Sequence, residues 1–234
     1  MIVNIDVLTI AECQVVRDTV QRMGTSWVRR SDLPFFTLGA ASYMDAARNK
    51  ADYYQNASIY NPLLRDSLSW VYERLTSCLE DYLKAPVTLH SSQALPGFHI
   101  FLADPGFHQL RASIHRDLQY ALLNWEYPDE TDFQHPISFT LAIAVPHFGA
   151  GLYLWNLCHE EMLGLSQPEI EQLIRSRSRH YHTYELGKLA IHSGHQVHQM
   201  GPAIAKEQSL RLEDERITLQ GHGLLCQGTW QLYW

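Results

Sequence analysis

Residues 216–225 read RITLQGHGLL, and residues 137–145 read ISFTLAIAV. The first stretch alternates polar with apolar residues and the second is rich in β-branched residues, and both patterns are typical of strands. Segments of this kind, separated by glycine and proline, recur from Val87 to Trp234. Short strands at such spacing predict an antiparallel sandwich or barrel. The other segments are GFHIFLA (97–103), SIHRDLQYALLNW (113–125), GLYLWN (151–156), KLAIHS (188–193) and WQLYW (230–234).

The N-terminal residues carry helical patterns instead. Thr9 and Glu12 have the spacing of a capping box, which predicts a helix from about Ile10 to Met23. The expected inner face of this helix consists of Val15, Val16 and Val20.

A second helical pattern runs from Leu63 to Lys84, where apolar residues at three- and four-residue steps form one stripe. The aromatic-rich residues 31–62 show no pattern that assigns a regular structure, and we interpret them either as core packing or as a lid. We therefore predict an α+β protein with a mainly β core and one domain over residues 1–234. Residues 1–86 would be the helical N-terminal support and lid, and residues 87–234 would form the β core.

Composition excludes several classes of protein. The chain has 234 residues, of which 46% are hydrophobic and 18% charged, an ordinary globular mixture. Its 18 Lys and Arg and 25 Asp and Glu give a net charge of −7, so a basic nucleic-acid-binding face is not expected. The longest apolar stretch, residues 139–155, is broken by Pro146 and His147 and is too short for a membrane span. The four cysteines form no CxxC pair, which indicates reduced thiols in a cytoplasmic protein.

A histidine and an aspartate two residues apart are the sharpest candidates for a metal site. His115 and Asp117 lie in the sequence IHRDL, and on a strand residues i and i+2 point to the same face. One imidazole and one carboxylate would then converge, with Arg116 on the opposite face. Taken alone, such a pair is more often structural than functional. Arg111, four residues before His115, is interpreted as either a surface ion-pair residue or a substrate-binding residue.

Three further histidines surround a predicted turn in residues 187–200, GKLAIHSGHQVHQM. His192 and His198 have the same strand parity and His195 the opposite parity, although a turn at Gly194 would reset that count. The residues alone leave all three open as metal ligands.

Arg216 and Thr218 share one parity in the alternating run RITLQGHG. A guanidinium on an inward strand face needs an anionic partner. The two side chains could together bind a carboxylate, through a bidentate fork and a hydroxyl group.

In chain order these features read HxD, then His, then RxT. That order resembles the iron(II)- and 2-oxoglutarate-dependent dioxygenases, and it looks closest to their prolyl-hydroxylase-like and phytanoyl-hydroxylase-like branches. The resemblance covers most of residues 95–220. The segments that carry it are GFHIFLADPGFHQLRASIHRD (97–117), FTLAIAVPHFGAGLYLWN (139–156) and GKLAIHSGHQVHQM (187–200).

The resemblance implies a double-stranded β-helix, or jelly roll, that holds iron(II) at one end through His115, Asp117 and a distal histidine. In the family, a small turn residue precedes the distal ligand by about four positions. Gly194 therefore favours His198, and His195 is the alternative.

The resemblance also implies a co-substrate site. Arg216 and Thr218 would bind the distal carboxylate of 2-oxoglutarate, with Arg211 as the fallback if the register differs. The reaction would use O2 to hydroxylate or otherwise oxidise an unactivated C–H bond, with release of succinate and CO2. The related halogenases have a small residue at the carboxylate position, so Asp117 disfavours halogenation.

Specificity lies in loops, so the substrate is predicted only by class. We expect a small molecule, an amino acid or a peptide-derived compound, with neither nucleic acid nor membrane as a partner. Two alternatives stay open: a metal-dependent hydrolase or isomerase on a cupin-like barrel, and a non-catalytic jelly-roll binding module. The hydrolase would use the same three ligands but gives no role to Arg216 and Thr218.

Overall fold

The computed structural model describes residues 2–108, 112–202, 211 and 214–234, so Arg111 lies outside the described residues. These form a mainly antiparallel β structure with few helices, which confirms the predicted α+β class with a jelly-roll-like core. A nine-stranded sheet packs against a three-stranded sheet. The strands are β1 (Val3–Asp6), β2 (Val28–Arg29), β3 (Phe35–Leu38), β4 (Val87–Leu89), β5 (Gly97–Phe101), β6 (Thr131–Ala144), β7 (Gly151–Cys158), β8 (Arg179–Thr183), β9 (Lys188–Ser193), β10 (Gln196–Met200), β11 (Arg216–Cys226) and β12 (Thr229–Tyr233).

The first helix begins where the capping box predicts. The Thr9 hydroxyl accepts a hydrogen bond from the Glu12 amide at 3.2 Å, and the Glu12 carboxylate accepts one from the Thr9 amide at 2.8 Å. The predicted inner face is wrong at Val15, which is 53% exposed, because the buried stripe instead starts at Cys13. The helices are α1 (Ile10–Arg22), α2 (Asp45–Arg48), α3 (Lys50–Leu83) and α4 (Gln167–Ser176).

Helix α3 is much longer than its predicted span of residues 63–84 and takes in half of the aromatic segment. Its start is capped by Asn49, whose side chain accepts a hydrogen bond from the Ala51 amide at 3.0 Å. Pro62 lies inside the helix, and Leu68 has a non-helical backbone with φ of −138°. Two helical segments therefore meet at a kink inside the predicted span, and the sequence pattern missed only residues 50–62. No described helix is long and apolar enough to span a bilayer.

The large sheet has two unlike faces, and β11 shows why. Ile217 and Leu219 point to the face that α1 and α3 cover, where they join the main hydrophobic core. Thr218 and the other residues of its parity point to the opposite face, toward the small sheet. That small sheet has the order β10–β7–β8 and contributes Leu152 and Leu154 of β7 to the space between the sheets.

Strand β11 lies in the middle of the large sheet. It pairs with β6 along one side and with β5 and then β12 along the other. Thr218 is thereby placed opposite His99 of β5 and Ala142 of β6. The two sheets are antiparallel apart from the parallel pairing of β12 with β4.

Two expectations need correction. The N-terminal residues 1–86 are not only helical support, because β1 pairs with β9 and β3 pairs with β5 within the large sheet. The HxD pair does not lie on a strand, because His115 forms a single isolated bridge with His198 and the residues around it are irregular. The bridge holds the backbone of His115 opposite His198, with no ladder on either side.

One close contact in the core requires a glycine. The indole ring of Trp234, which is fully buried, lies against Gly97 at the start of β5. A Cβ on Gly97 would lie 2.2 Å from two ring carbons of Trp234. Only glycine at this position lets the ring reach its place beside His99, with ring centroids 5.3 Å apart.

We expect Gly97→Ala to lower the free energy of unfolding by about 1–3 kcal/mol, because the added methyl group overpacks the core. The measurement is urea unfolding followed by tryptophan fluorescence. Gly24→Ala is the matched control, since no atom lies within 4 Å of a Cβ at that position. The control should be neutral or stabilising by up to about 1 kcal/mol. Equal midpoints for Gly97→Ala and the wild type would contradict this account of the Trp234 packing.

Candidate metal centre

Three side chains converge at one end of the space between the sheets. The potential ligand atoms of His115, Asp117 and His198 all lie within 4.8 Å of one another. The distance is 3.9 Å from His115 Nε2 to Asp117 Oδ1 and 3.5 Å from His198 Nε2 to Asp117 Oδ2. Within the described part of the chain, no other group of three His, Cys, Asp or Glu side chains converges in this way.

Backbone hydrogen bonds fix these three residues relative to one another. The amide of His115 donates to the carbonyl of His198, and the amide of His198 donates back, both at 2.9 Å. The amide of Asp117 donates to the carbonyl of Gly194 at 2.8 Å. The site is therefore a clamp between the HxD loop and the turn that joins β9 to β10.

The tautomers of both histidines suit metal binding. His115 Nδ1 lies 2.9 Å from the carbonyl oxygen of Ser113, and His198 Nδ1 lies 2.8 Å from that of Gln196. A carbonyl oxygen only accepts, so each Nδ1 carries the proton. The Nε2 lone pairs are then free to face Asp117, which is the arrangement that a backbone-oriented histidine ligand requires.

The charges of the cluster also suit a cation. Burial acts to raise the pKa of Asp117, but the neighbouring imidazoles, first among them His198, lower it below its ordinary value. Burial lowers the pKa of His198, and the charge of Asp117 only partly opposes this. At neutral pH the site therefore presents an ionised carboxylate and a neutral imidazole. The half-exposed side chain of His115 marks its open side.

Two more histidines lie beside the cluster. The ring of His192 is 4.7 Å from that of His198, and His222 Nδ1 is 3.8 Å from Asp117 Oδ2. His222 also contacts the Ser138 hydroxyl at 3.0 Å and the side-chain amide of Gln119. Sequence reasoning missed His222, although it has the parity of Arg216 and Thr218 in RITLQGHG. That shared parity was the available signal.

His195 does not join the cluster. Its Nε2 lies 2.9 Å from the Tyr120 hydroxyl, and its Nδ1 is hydrogen-bonded to the Glu160 carboxylate. Both ring nitrogens are thus occupied by groups other than the three convergent side chains.

Arg216 lies on the inner face of β11 and is 4% exposed. Its guanidinium contacts the Met200 sulfur, and its Cζ lies 4.0 Å from the centre of the Phe101 ring. Among the described residues no carboxylate lies within ion-pair distance of it. Burial lowers its pKa to about 10, so the group stays charged at neutral pH. A buried cation without an anionic partner is costly, so the chemistry of this position suits an anionic ligand.

Thr218 and Arg211 differ sharply in their surroundings. Thr218 is 1% exposed, and its hydroxyl accepts a hydrogen bond from the Gln220 side chain at 3.2 Å. It lies two residues from Arg216 on the same inner face. Arg211 is exposed, and its amide donates to Asp214.

Part of the aromatic segment reaches the site. Tyr43 lies between β3 and α2, and its hydroxyl is 2.7 Å from His99 Nε2. Burial raises the pKa of Tyr43; the charge of Asp117 raises it further and the charge of Arg216 lowers it. Phe35 of β3 stacks on Phe101 with ring centroids 4.2 Å apart. The segment that the sequence left as either packing or lid therefore contributes to both the sheet and the surroundings of Arg216.

The loop that carries Tyr43 is anchored by a buried ion pair. The Arg30 guanidinium donates to both Asp45 carboxylate oxygens, at 2.6 and 2.8 Å, and to the Thr37 hydroxyl at 2.7 Å. The Asp45 carboxylate also accepts from the Ala41 amide at 2.9 Å. This bidentate pair holds the loop against β3.

Solved structures of low sequence identity share the fold. An N-substituted L-amino acid dioxygenase from Burkholderia ambifaria AMMD aligns over 99% of this chain and 85% of that chain, with a TM-score of 0.58 and 13% identity. The alpha ketoglutarate dependent epimerase SnoN from nogalamycin biosynthesis aligns over 94% and 76%, with a TM-score of 0.51 and 14% identity. EvdO2 from Micromonospora carbonacea var. aurantiaca, complexed with 2-oxoglutarate, aligns over 95% and 85%, with a TM-score of 0.50 and 14% identity. No family model and no curated protein matches the sequence.

The buried histidines make the metal-free protein sensitive to acid. Burial lowers the pKa of His99 and of His192 to about 3. An unfolded histidine has a pKa of about 6.5, so below that pH the unfolded state binds protons that the folded state refuses. The contribution of these neutral histidines to the free energy of unfolding is complete above pH 6.5 and is lost as the pH falls toward 3.

We expect the free energy of unfolding to fall by about 2 kcal/mol for each of these two histidines between pH 7.5 and pH 5.0. Urea unfolding in the presence of a chelator measures the loss. His99→Gln should reduce the pH-dependent loss by about 2 kcal/mol, whereas the exposed His135→Gln serves as the surface control. The same loss in His99→Gln as in the wild type would contradict the assignment.

Proposed function

We propose that this protein is an iron(II)- and 2-oxoglutarate-dependent dioxygenase. The observation that carries the proposal is the buried guanidinium of Arg216, which lacks a carboxylate partner among the described residues and lies on the same sheet face as His222 beside Asp117. A cation kept for an anionic ligand, next to a convergent metal-ligand set, is the combination this chemistry needs.

The ligand set fits iron(II). Two imidazoles and one carboxylate that converge at one point leave coordination positions open for other ligands. We assign the distal position to His198, because its Nε2 faces Asp117 while both ring nitrogens of His195 are hydrogen-bonded elsewhere. His115 and Asp117 complete the set.

Arg216 and Thr218 would hold the distal carboxylate of 2-oxoglutarate. The guanidinium offers paired donors and the hydroxyl a third, all on the inner face of β11. When bound, iron(II) and 2-oxoglutarate activate O2 for oxidation of a C–H bond and yield succinate and CO2. Arg216 is favoured as the carboxylate-binding residue because it is buried, whereas the fallback residue Arg211 is exposed.

The protein's own residues then have distinct tasks. Asp117 supplies the negative charge that retains the cation, and the Nδ1 hydrogen bonds of His115 and His198 keep their Nε2 atoms aimed at it. The exposed side of His115 is where a substrate can approach. Tyr43, whose hydroxyl group contacts His99, stands near Asp117 and Arg216.

We propose the substrate only as a broad chemical class. Hydroxylation of a small molecule, an amino acid or a peptide-derived compound is supported by the likeness in fold to an N-substituted L-amino acid dioxygenase. The motifs in residues 97–117, 139–156 and 187–200 favour the prolyl-hydroxylase-like or phytanoyl-hydroxylase-like branch. The four free cysteines favour the reducing cytoplasm as the place of action.

An anaerobic titration of the metal-free protein tests the proposal. Iron(II) is added first and 2-oxoglutarate second, with visible absorption as the readout. We expect a charge-transfer band that requires both additions. A protein that binds iron but develops no band with 2-oxoglutarate would be a metallohydrolase or isomerase instead. A folded protein that binds no iron would be the non-catalytic binding module.

The role of Arg216 gives a sharper prediction. Arg216→Ala should retain iron(II) affinity but bind 2-oxoglutarate at least about 30-fold more weakly, because truncating one partner of a buried charge pair costs about 2–5 kcal/mol. The midpoint of the absorption band against 2-oxoglutarate concentration measures the change. Arg175→Ala, at a position with an 82% exposed side chain, is the control. Unchanged 2-oxoglutarate affinity in Arg216→Ala would exclude Arg216 as the carboxylate-binding residue.

A further inference from the structure

We infer that His195 is a positioning residue of the metal centre: through Tyr120 and Glu160 it holds the loop that carries Asp117. The inference rests on the proposed function, since it takes His115, Asp117 and His198 as the metal-binding residues. It concerns a network of side chains outside that set, which runs from the buried His195 to the exposed Glu160.

The network has a defined hydrogen-bond direction. The Glu160 carboxylate is an acceptor: burial acts to raise its pKa, but hydrogen bonds, including the one from His195, and the charges of His195 and His159 lower it. His195 Nδ1 therefore donates to Glu160. In the neutral imidazole Nε2 is then the acceptor, and the Tyr120 hydroxyl, 2.9 Å away, donates to it. Burial raises the pKa of Tyr120, which keeps this phenol protonated.

Backbone hydrogen bonds also hold the turn between β9 and β10, which contains His195. The carbonyl of Gly194 accepts from the Asp117 amide at 2.8 Å, and the amide of Gly194 donates to the carbonyl of Pro136 at 2.8 Å. The carbonyl of His195 accepts from the amide of His159 at 2.9 Å. The HxD loop, strand β6 and the segment that follows β7 therefore meet at residues 194–195.

These contacts restrain the segment of Asp117 at two points. The first is the bond from the Asp117 amide to Gly194, and the second is the bond from Tyr120, three residues later, to His195. Two anchors on one short segment fix both its position and its rotation. The carboxylate of Asp117 is thereby kept within 3.5–3.9 Å of the two Nε2 atoms.

His195 is buried, with 5% of its surface exposed, whereas the Glu160 side chain is 54% exposed. The histidine thus bridges the protein surface and the interior beside the site. A residue of this kind contributes to metal affinity without touching the metal, because it reduces the freedom of a ligand in the metal-free protein.

The test compares iron(II) affinities of purified full-length variants under anaerobic conditions, by competition with a coloured chelator. The variants are His195→Ala, His195→Gln and His198→Ala, with the exposed His135→Ala as the matched histidine control. Urea unfolding of each metal-free variant is measured in parallel, because a purely structural role would alter stability and leave the affinity of the folded protein unchanged.

We expect His195→Ala to weaken iron(II) binding about tenfold, as is usual for residues that orient metal ligands. His195→Gln should recover most of this loss, because the glutamine carboxamide can accept from Tyr120 near the place of Nε2. His198→Ala should abolish tight binding and His135→Ala should change nothing. If His195→Ala fails to fold, Tyr120→Phe removes the same hydrogen bond and should weaken binding severalfold.

Three results would overturn the inference. Wild-type affinity in His195→Ala or, failing that variant, in Tyr120→Phe would remove any role in positioning. Complete loss of binding in both His195→Ala and His195→Gln, with His198→Ala still binding, would make His195 the ligand. A loss in His195→Ala that His195→Gln does not reduce would show that the Tyr120 bond is not what matters. Failure of the proposed function is a different result, in which the wild type itself binds no iron.

Discussion

A strand in the middle of a sheet that is covered on both sides usually carries apolar residues on both faces, and β11 does not. Its inward residues include Arg216, Thr218 and His222, and none of them is more than 8% exposed. Buried polar groups are tolerated only when they find partners, so this one strand dictates what its neighbours carry. His99 and Ser138 stand opposite it on β5 and β6 for that reason.

Protein side chains supply hydrogen-bond partners for the histidines on this inner face. His222 is held by Gln119 and Ser138, and His99 is held by Tyr43. The guanidinium of Arg216, by contrast, meets an aromatic face and a thioether sulfur, and neither replaces an anion. A buried cation that meets only a sulfur and an aromatic ring, close to the convergent ligand set, supports the proposal that this position binds an anion. Functional sites are where such departures from consistent packing are expected.

The sequence allowed prediction of what depends on periodicity and order along the chain. Strand alternation was enough to find β11 and to put Arg216 and Thr218 on one face, and the capping box located the start of α1. Prediction failed where tertiary contacts override a local signal. Pro62 interrupts the helical pattern, so residues 50–62 of α3 were not predicted. His115 is held by a single bridge to His198 and not by a strand. The position of His195 relative to Tyr120 and Glu160 could not be read from spacing, because the three lie in separate loops.

The central place of β11 also has a consequence for biosynthesis. Arg216 pairs with Phe101 and Cys226 pairs with Thr131, so the strand joins segments made long before it. Until β11 leaves the ribosome, β5 and β6 have no common neighbour, and the nascent chain exposes the apolar edges meant for it. Contacts between such distant parts of a chain form slowly and leave intermediates prone to aggregation. Pairing of β5 and β6 through a common strand therefore waits until β11 has been synthesised.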